Sequence, residues 1–364
     1  MVGDLPVGVQ QRVEIVKALI GDAQVLVFDE PTAVLTPQET DELMAIMRQL
    51  RDTGRAIVFI THKLREVKEV ADKITVIRLG QVVGEAKASD TPDQLAAMMV
   101  GRAVELDVHK SPAKPGASAF QVTGLSAWNH RGQQVLEDLN FEIKAGEILV
   151  IAGVQGNGQT ELTEAIIGMH GKAVGSIELD GKNLLGKNVK QVLDLGVGFV
   201  PEDRTEDGLV AEFTIAENLM LDRSDRKPFA KRGVLQLEWL KQFAAEKIQQ
   251  YDVRAQGITS KASQLSGGNQ QKVVLARELS RELRLLVASQ PTRGLDVGSI
   301  EFVHEQIVAT RDSGIPVLIV ATELDEATQL GDRIAVMYRG KIVGIVPADT
   351  DRAVLGKMMA GISA

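Results

Sequence analysis

Residues 147–162 read EILVIAGVQGNGQTEL. An apolar run gives way to a glycine-rich loop, and the loop opens a segment of helical composition, TELTEAIIG (160–168). That is the setting of a phosphate-binding loop, whose usual pattern is G-x-x-x-x-G-K-[ST]. Gly153 and Gly158 fill the glycine positions, and Thr160 fills the hydroxyl position, which can ligate a divalent ion. Glycines let backbone N–H groups approach phosphate oxygens, and the helix N-terminus adds a favourable dipole. The lysine position holds Gln159. Its amide donates hydrogen bonds but carries no charge, so the outer phosphates lose their main electrostatic partner. Taken alone, the stretch also fits a structural glycine turn.

The chain repeats itself. A shift of 260 residues lays LPVGVQQRVEI (5–15) on LSGGNQQKVVL (265–275), and VLVFDEPT (25–32) on LLVASQPT (285–292). The same shift lays ADKITVIRLGQVVG (71–84) on GDRIAVMYRGKIVG (331–344), and MMVGR (98–102) on MMAGI (358–362). One ungapped register over so long a stretch indicates a duplicated domain. The second copy spans 119–364, whereas 1–102 matches only the last part of that copy. Residues 103–118, VELDVHKSPAKPGASA, read as a linker. The first copy's phosphate loop would lie ahead of Met1, so the chain is expected to be the C-terminal part of a longer protein, about 150 residues short at its start.

Bulk properties narrow the function classes. The 364 residues suffice for two domains. A net charge of −8 disfavours a large nucleic-acid footprint. No apolar run is long enough to span a bilayer, and MVGDLPVGVQQ is not a signal peptide. The absence of cysteine excludes disulfides and thiolate chemistry and fits a cytosolic protein.

In the complete copy, the apolar runs EILVIA, VGFVP (197–201), LRLLVA (283–288), VLIVA (317–321) and IAVMY (334–338) alternate with amphipathic helical segments. That alternation predicts a parallel α/β core. Period-two patterning in 120–128 and 137–147 predicts an antiparallel β layer, and 214–262 reads as an inserted helical subdomain.

Three further stretches carry chemistry. LSGGNQQK (265–272) places Ser266, Gly267, Gly268 and Asn269 at the head of a helix, where backbone N–H groups face an anion; a plain Ser266 N-cap gives part of the same pattern. VLVFDEPT ends an apolar strand in Asp29 and Glu30, a pair suited to holding Mg2+ and activating water; a strand that simply ends in charge is the plainer alternative. IVFITHK (57–63) ends in His62, which can orient water or contact a phosphate, or can be structural.

In combination, order and spacing, these motifs resemble the ATP-binding cassette (ABC) family of P-loop NTPases. The resemblance covers essentially the whole chain. It is nearest to the duplicated ATPase subunits of simple-sugar and nucleoside importers, through VPEDRTEDGL (200–209), LSGGNQQK and the paired MMVGR and MMAGI endings. LPVGVQQRVEI with FITHKLREV resembles the nucleoside branch more than the ribose or galactose branch. The resemblance implies an α/β cassette fold and a transport-coupled ATPase using ATP and Mg2+. It implies location at the cytoplasmic face of the membrane, with membrane permease subunits and, indirectly, an extracytoplasmic solute-binding protein as partners, and no nucleic acid. The permease would dock near residues 200–225.

The same resemblance assigns site residues. Glu30 and His62 would be catalytic. Gly153, Gly156, Asn157, Gly158, Gln159, Thr160 and Glu161, with Ser266, Gly267, Gly268 and Asn269, would contact nucleotide, and Asp29 and Thr160 would hold the metal. Trp128 lies where such proteins often stack an aromatic on adenine; a strand-end aromatic is equally good as a reading. Asp296 and its counterpart Thr36 occupy a loop that joins two cassettes. Met98, Met99, Met358 and Met359 read as core packing, and His109, His130, His170 and His304 have no metal-like spacing.

Cassettes of this family pair head to tail, each nucleotide lying between one phosphate loop and the partner's LSGG. On that scheme one site is degenerate: Gln159 replaces lysine, Ser289–Gln290 replaces the carboxylate pair, Thr322 replaces histidine, Pro6 replaces the signature serine and Glu202 stands where a glutamine is expected. The other site has Asp29, Glu30, His62 and an intact LSGGN, but its phosphate loop is outside 1–102. The chain by itself is therefore expected to have no significant ATPase activity. Two rival readings are a ribosome-associated duplicated cassette, which usually carries a long charged linker helix, and a non-catalytic nucleotide-binding remnant.

Overall fold

A computed structural model describes residues 7–21, 23–32, 35, 37–78, 80–103 and 108–362. Leu5, Pro6 and Thr36, and 104–107 of the linker, lie outside the described residues.

The chain begins with α1 (Val7–Ile20), β1 (Val25–Asp29), α2 (Pro37–Asp52), β2 (Ala56–Ile60), α3 (Leu64–Val70), β3 (Ile74–Arg78), β4 (Gln81–Ala86) and α4 (Pro92–Val100). An antiparallel layer follows in the strand order β6 (Gln134–Lys144), β5 (Ser118–Trp128), β8 (Ala173–Leu179), β9 (Lys182–Asn183). Between these come β7 (Ile148–Ala152) and α5 (Gln159–Ile167), and after them α6 (Val189–Asp194) and β10 (Val197–Val200). The inserted region contains α7 (Ile215–Met220), a hairpin of β11 (Ala230–Lys231) with β12 (Val234–Leu235), and α8 (Leu237–Gln250). The remainder is α9 (Gly267–Leu279), β13 (Leu285–Ser289), α10 (Val297–Asp312), β14 (Val317–Ala321), α11 (Leu324–Leu330), β15 (Arg333–Tyr338), β16 (Lys341–Pro347) and α12 (Arg352–Met359). The short hairpin is a departure from the all-helical reading of 214–262, and β5 takes up Ser118 from the linker stretch.

Each of the first eight elements has a counterpart 260 positions later, matching within one residue at either end; β1 and β13, α2 and α10, and α3 and α11 match at both ends. Even irregularities recur. The β3–β4 and β15–β16 pairs slip register at Val76/Ile77 and Val336/Met337. Met98 lies against Gly84 as Met358 lies against Gly344.

The C-terminal part carries a six-stranded sheet in the order β10-β13-β14-β7-β15-β16, parallel except for the edge strand β16. Strands buried on both faces read as continuous apolar runs rather than alternating ones, which is why ILVIA, LLVAS and VLIVA are strands here. Val150, Ala288 and Ile319 face the helices, while Ile151, Val287 and Leu318 face the antiparallel layer and α5. The N-terminal part has only the pairs β1–β2 and β3–β4 among its described residues; nothing occupies the place that β7 holds between β14 and β15. Leu26 and Phe28 of β1 bury against Met44 and Met47 of α2, but Val25, Val27, Val58 and Ile60 on the other face stay exposed. Their counterparts Leu285, Val287, Leu318 and Val320 are buried under the antiparallel layer.

Residues of the linker stretch are fastened to the C-terminal part. Buried Arg311 pairs with Asp332 at 3.0 Å and donates to the Ser111 carbonyl at 2.8 Å, and Lys110 donates to the Leu330 carbonyl at 2.9 Å. Between the two parts, Arg102 pairs with Glu301 at 2.6 Å and Lys63 with Glu323 at 2.9 Å.

Identical residues in the two halves give a direct test of the uncovered face. Val287, fully buried, should cost about 2 kcal/mol when changed to Ala. Val27, 63% exposed, should cost less than about 0.5 kcal/mol for the same change. Urea unfolding followed by circular dichroism checks both; equal losses would mean that the Val27 face is covered in solution.

Candidate functional site

The C-terminal ends of parallel strands form the crevice where ligands of α/β sheets collect. Two sets of side chains meet at such ends here. In the N-terminal part, Asp29 ends β1 as an exposed carboxylate and Glu30 follows in the left-handed region, φ 46°. The Glu30 N–H donates to the Ile60 carbonyl at 2.9 Å, which extends the β1–β2 pairing one step past the strand. This turns the Glu30 side chain toward the end of β2, and its Oε1 lies 2.8 Å from His62 Nδ1. The hydrogen bond to Glu30 raises the His62 pKa above its ordinary value, against the opposing effect of burial. Behind them, buried Glu66 accepts from Thr61 Oγ1 at 3.2 Å; burial raises its pKa, against the charge of Lys63 and the bond from Thr61.

The C-terminal part repeats this backbone with different chemistry. Gln290 follows β13 at φ 43°, and its N–H donates to the Val320 carbonyl at 2.8 Å. Thr322 Oγ1 donates to Gln290 Oε1 at 3.3 Å, where the other part has histidine on glutamate. Ser289, in the place of Asp29, is buried. Glu326, the counterpart of Glu66, accepts from Thr292 Oγ1 at 2.6 Å. The Glu30 carboxylate, which can take a proton from water, is matched in the second set by the neutral amide of Gln290.

The glycine loop stands between β7 and α5, at the crevice of the six-stranded sheet. Gln159 is buried inside the loop. Its Oε1 accepts from the Asn157 N–H at 3.0 Å and its Nε2 donates to the Val154 carbonyl at 3.0 Å. The residue in the lysine position thus occupies a backbone N–H that a phosphate oxygen would otherwise take. Asn157 also bonds outward, its Oδ1 accepting from the Arg339 N–H at 2.8 Å. Gly158 has φ 109°, and a Cβ there would lie 2.9 Å from the Val135 carbonyl oxygen, so β6 demands glycine. Gly153 is buried; Gly156 and Thr160 are exposed at the loop surface, and Glu161 is half-buried in the first turn of α5. Trp128 ends β5 opposite Gln134, one residue from Val135, on the flank of the loop, with the Lys172 ammonium 5.3 Å from its ring centre.

Ser266 precedes α9, yet its Oγ caps no backbone N–H; it accepts from Asn269 Nδ2 at 2.9 Å. The side-chain cap that the plainer reading requires is absent. The first N–H groups of a helix have no intrahelical partner, so those of α9 are left to an external acceptor. Asn269 Oδ1 accepts from the Arg254 N–H at 2.7 Å, which holds this segment to the inserted region. Gly267 lies under the Arg204 guanidinium, and Gly268 packs on Ser299 and Asp296, whose carboxylate caps α10.

Three participants were not singled out from sequence. Gln155, in the loop, donates to Glu202 at 2.9 Å; Arg293 also pairs with Glu202; Arg204 donates to the Arg293 carbonyl at 2.9 Å. The repeat register does flag Thr32 and Glu66, which recur as Thr292 and Glu326. Met358 and Met359 are buried, and Met98 and Met99 pack on the N-terminal core, as packing residues should. His170 lies 3.3 Å from Glu164, and buried His304 lies 3.7 Å from Glu326. Among the described residues, no group of three or more His, Cys, Asp or Glu side chains is arranged to hold a metal ion.

With this geometry in view, comparison with known proteins is direct. The profile of the ABC transporter family matches residues 136–293. The nucleoside import ATP-binding protein NupA of Lactococcus lactis subsp. cremoris is 46% identical over 99% of this chain and 72% of its own length. The chain belongs to the ABC transporter ATPase family. Guanosine import ATP-binding protein NupO of Bacillus subtilis is likewise 46% identical, over 98% of this chain and 71% of its own. Ribose import ATP-binding protein RbsA 1 of Streptomyces avermitilis is 38% identical, over 96% and 65%. Among solved structures, a dimeric ATP-binding cassette in a post-hydrolysis state, bound to ADP and Pi, superposes with a TM-score of 0.55 at 23% identity. It covers 64% of this chain and all of that one, and shows the cassette fold. No helix among the described residues is long and apolar enough to cross a membrane.

The His62–Glu30 contact gives a signed pH prediction. A histidine with a raised folded pKa contributes stability that is complete below its ordinary value of 6.5 and is lost as pH rises through the folded value. In an NMR titration, the His62 ring should therefore titrate above 6.5, and Glu30→Gln should return it toward 6.5. An unchanged midpoint in Glu30→Gln would show that the contact is not made in solution.

Proposed function

We propose that this protein is the ATP-binding subunit of a nucleoside importer, with one hydrolytic and one non-hydrolytic nucleotide site. Residues 1–102 form part of one cassette, 103–118 the linker and 119–364 a second cassette. The observation that carries the asymmetry is the matched pair of strand ends: Glu30 beside His62 at 2.8 Å in one, Gln290 beside Thr322 at 3.3 Å in the other.

In the hydrolytic site, Glu30 takes the proton of the attacking water, and His62 holds the Glu30 carboxylate in position. Asp29, an exposed carboxylate at the end of β1, fits a magnesium ion held through its water shell; bound there, the ion would offset the charge of the outer phosphates. The free N–H groups at the head of α9, with Ser266, Gly267, Gly268 and Asn269, close on the same nucleotide from the opposite cassette. Residues 1–102 contain no glycine loop of this type, so the phosphate loop of this site has to come from another segment. Residues 1–364 by themselves are therefore expected to leave ATP unhydrolysed at this site.

In the second site, Gly153–Glu161 supply a loop without lysine, and Ser289 and Gln290 replace both carboxylates. The donor set around Thr160 thus fits a divalent ion poorly. Loss of the cradle's charge and of the base removes the main positioning and electrostatic contributions to phosphoryl transfer.

Transport requires membrane permease subunits, which place the protein at the cytoplasmic face of the membrane, with a solute-binding protein delivering cargo outside; no nucleic acid takes part. The groove between α6 and the turn after α7, lined by Leu193, Leu221, Asp222, Asp225 and Arg226, suits a permease helix and borders the 200–225 segment. The nucleoside assignment rests on the relatives: those named for nucleoside and guanosine import share 46% identity, against 38% for the ribose example.

Uptake of labelled guanosine and labelled ribose in cells lacking the gene tests this reading. Guanosine uptake should fall to background with ribose uptake unchanged. Re-expressed Glu30→Gln should fail to restore it, whereas Gln290→Ala should restore it. Loss of ribose uptake alone would move the cargo to sugars, and equal failure of both variants would remove the asymmetry.

A further inference from the structure

The network around Glu202 deepens this reading of the second site, and rests on it. Four strand ends converge there. The glycine loop leaves β7, Glu202 follows β10 by two residues, Gln290 follows β13 and Thr322 follows β14, and β10, β13, β14 and β7 are consecutive neighbours in the sheet. The Glu202 carboxylate ties the glycine loop to the turn after β13. Gln155 Nε2, from the loop, donates to Glu202 Oε1 at 2.9 Å, and the Arg293 guanidinium pairs with the same oxygen. Gln290, three residues before Arg293, accepts from Thr322 Oγ1 at 3.3 Å on its own Oε1. Arg204 fixes Arg293 in turn by donating to its carbonyl at 2.9 Å.

The donors on Glu202 are the kind that gather on a terminal phosphate: a side-chain amide of the glycine loop and a guanidinium. Its neighbours do not offset it fully, since Asp203 and Asp207 add negative charge and Arg293 and Arg204 positive charge, leaving the group net negative with Glu202 counted. Burial, with the charges of Asp203 and Asp207, raises the Glu202 pKa against the opposing charge of Arg293.

We propose that the Glu202 carboxylate is a built-in occupant of the terminal-phosphate position, so that this site accepts a nucleoside diphosphate and rejects a triphosphate. A third phosphate group would have to displace Glu202 from Gln155 and Arg293 and stand beside its charge. A diphosphate reaches only the loop and the first turn of α5 and leaves the network intact. The second site is then held closed by the protein itself, and its state does not follow the ATP level.

The test is equilibrium binding of the fluorescent analogues TNP-ADP and TNP-ATP to this chain, whose described residues hold one such loop, with and without Glu202→Gln. The wild type should bind the diphosphate about tenfold or more tightly than the triphosphate, the scale expected for two like charges in contact in a partly buried site. Glu202→Gln should erase that ratio by strengthening triphosphate binding alone. Unchanged diphosphate affinity in the variant shows that the fold is intact, and Glu202→Ala should reproduce the result. Triphosphate bound as tightly as diphosphate by the wild type overturns the proposal, as does a variant that strengthens both equally. Binding of neither analogue by any of the three proteins would overturn the nucleotide-site reading itself, and this inference with it.

Discussion

One backbone device organises both candidate sites. The residue after a buried strand turns into the left-handed region and keeps its N–H in the parallel ladder, on the carbonyl of the next strand. Glu30 and Gln290 both do this, and neither is glycine. A non-glycine residue at positive φ is costly and persists only where its surroundings over-determine it. Here the ladder bond does so. Because the backbone is fixed, the side chain has one direction available, toward whatever the next strand offers at its own end. His62 and Thr322 are placed by the same rule.

The two halves are therefore one scaffold carrying two chemistries. Supporting residues are kept, as the recurrence of Thr32 and Glu66 at Thr292 and Glu326 shows. The groups that would act on water are replaced: Asp29 by Ser289 and Glu30 by Gln290. The environments differ as well. The face of β13 and β14 that carries Val287 and Leu318 is sealed by the antiparallel layer, whereas Val27 and Val58 are open. A site that excludes water strengthens its electrostatics, so the Glu30–His62 pair needs that face covered to reach its full effect.

Much of this was legible in the sequence. A register that holds from residue 5 to 102 at a shift of 260 carries elements, irregularities and paired residues with it, since identical spacing in a duplicated fold means identical placement. The apolar runs gave away the doubly buried sheet, and the motif order gave the family. What was hidden depends on rotamers and on contacts between distant segments. Gln159 was legible as a missing charge, but not as a side chain folded into its own loop on the Asn157 N–H. Arg293 follows an ordinary Pro-Thr, and only the turn after β13 brings it to Glu202. Ser266 looked like a helix cap, and Asn269 takes its hydroxyl instead. The hairpin at 230–235 is too short to show a period.

The central claim is that hydrolysis belongs to the site of Glu30 and His62 and not to the loop of Gln159. Steady-state Mg-ATP turnover tests it most directly, measured on this chain and on the same chain joined to an upstream cassette segment that carries a lysine-containing phosphate loop. Turnover should be at background for the chain alone, appear in the joined protein and vanish there with Glu30→Gln. Turnover by the chain alone that survives Glu30→Gln would place hydrolysis at Gly153–Thr160 and contradict the account.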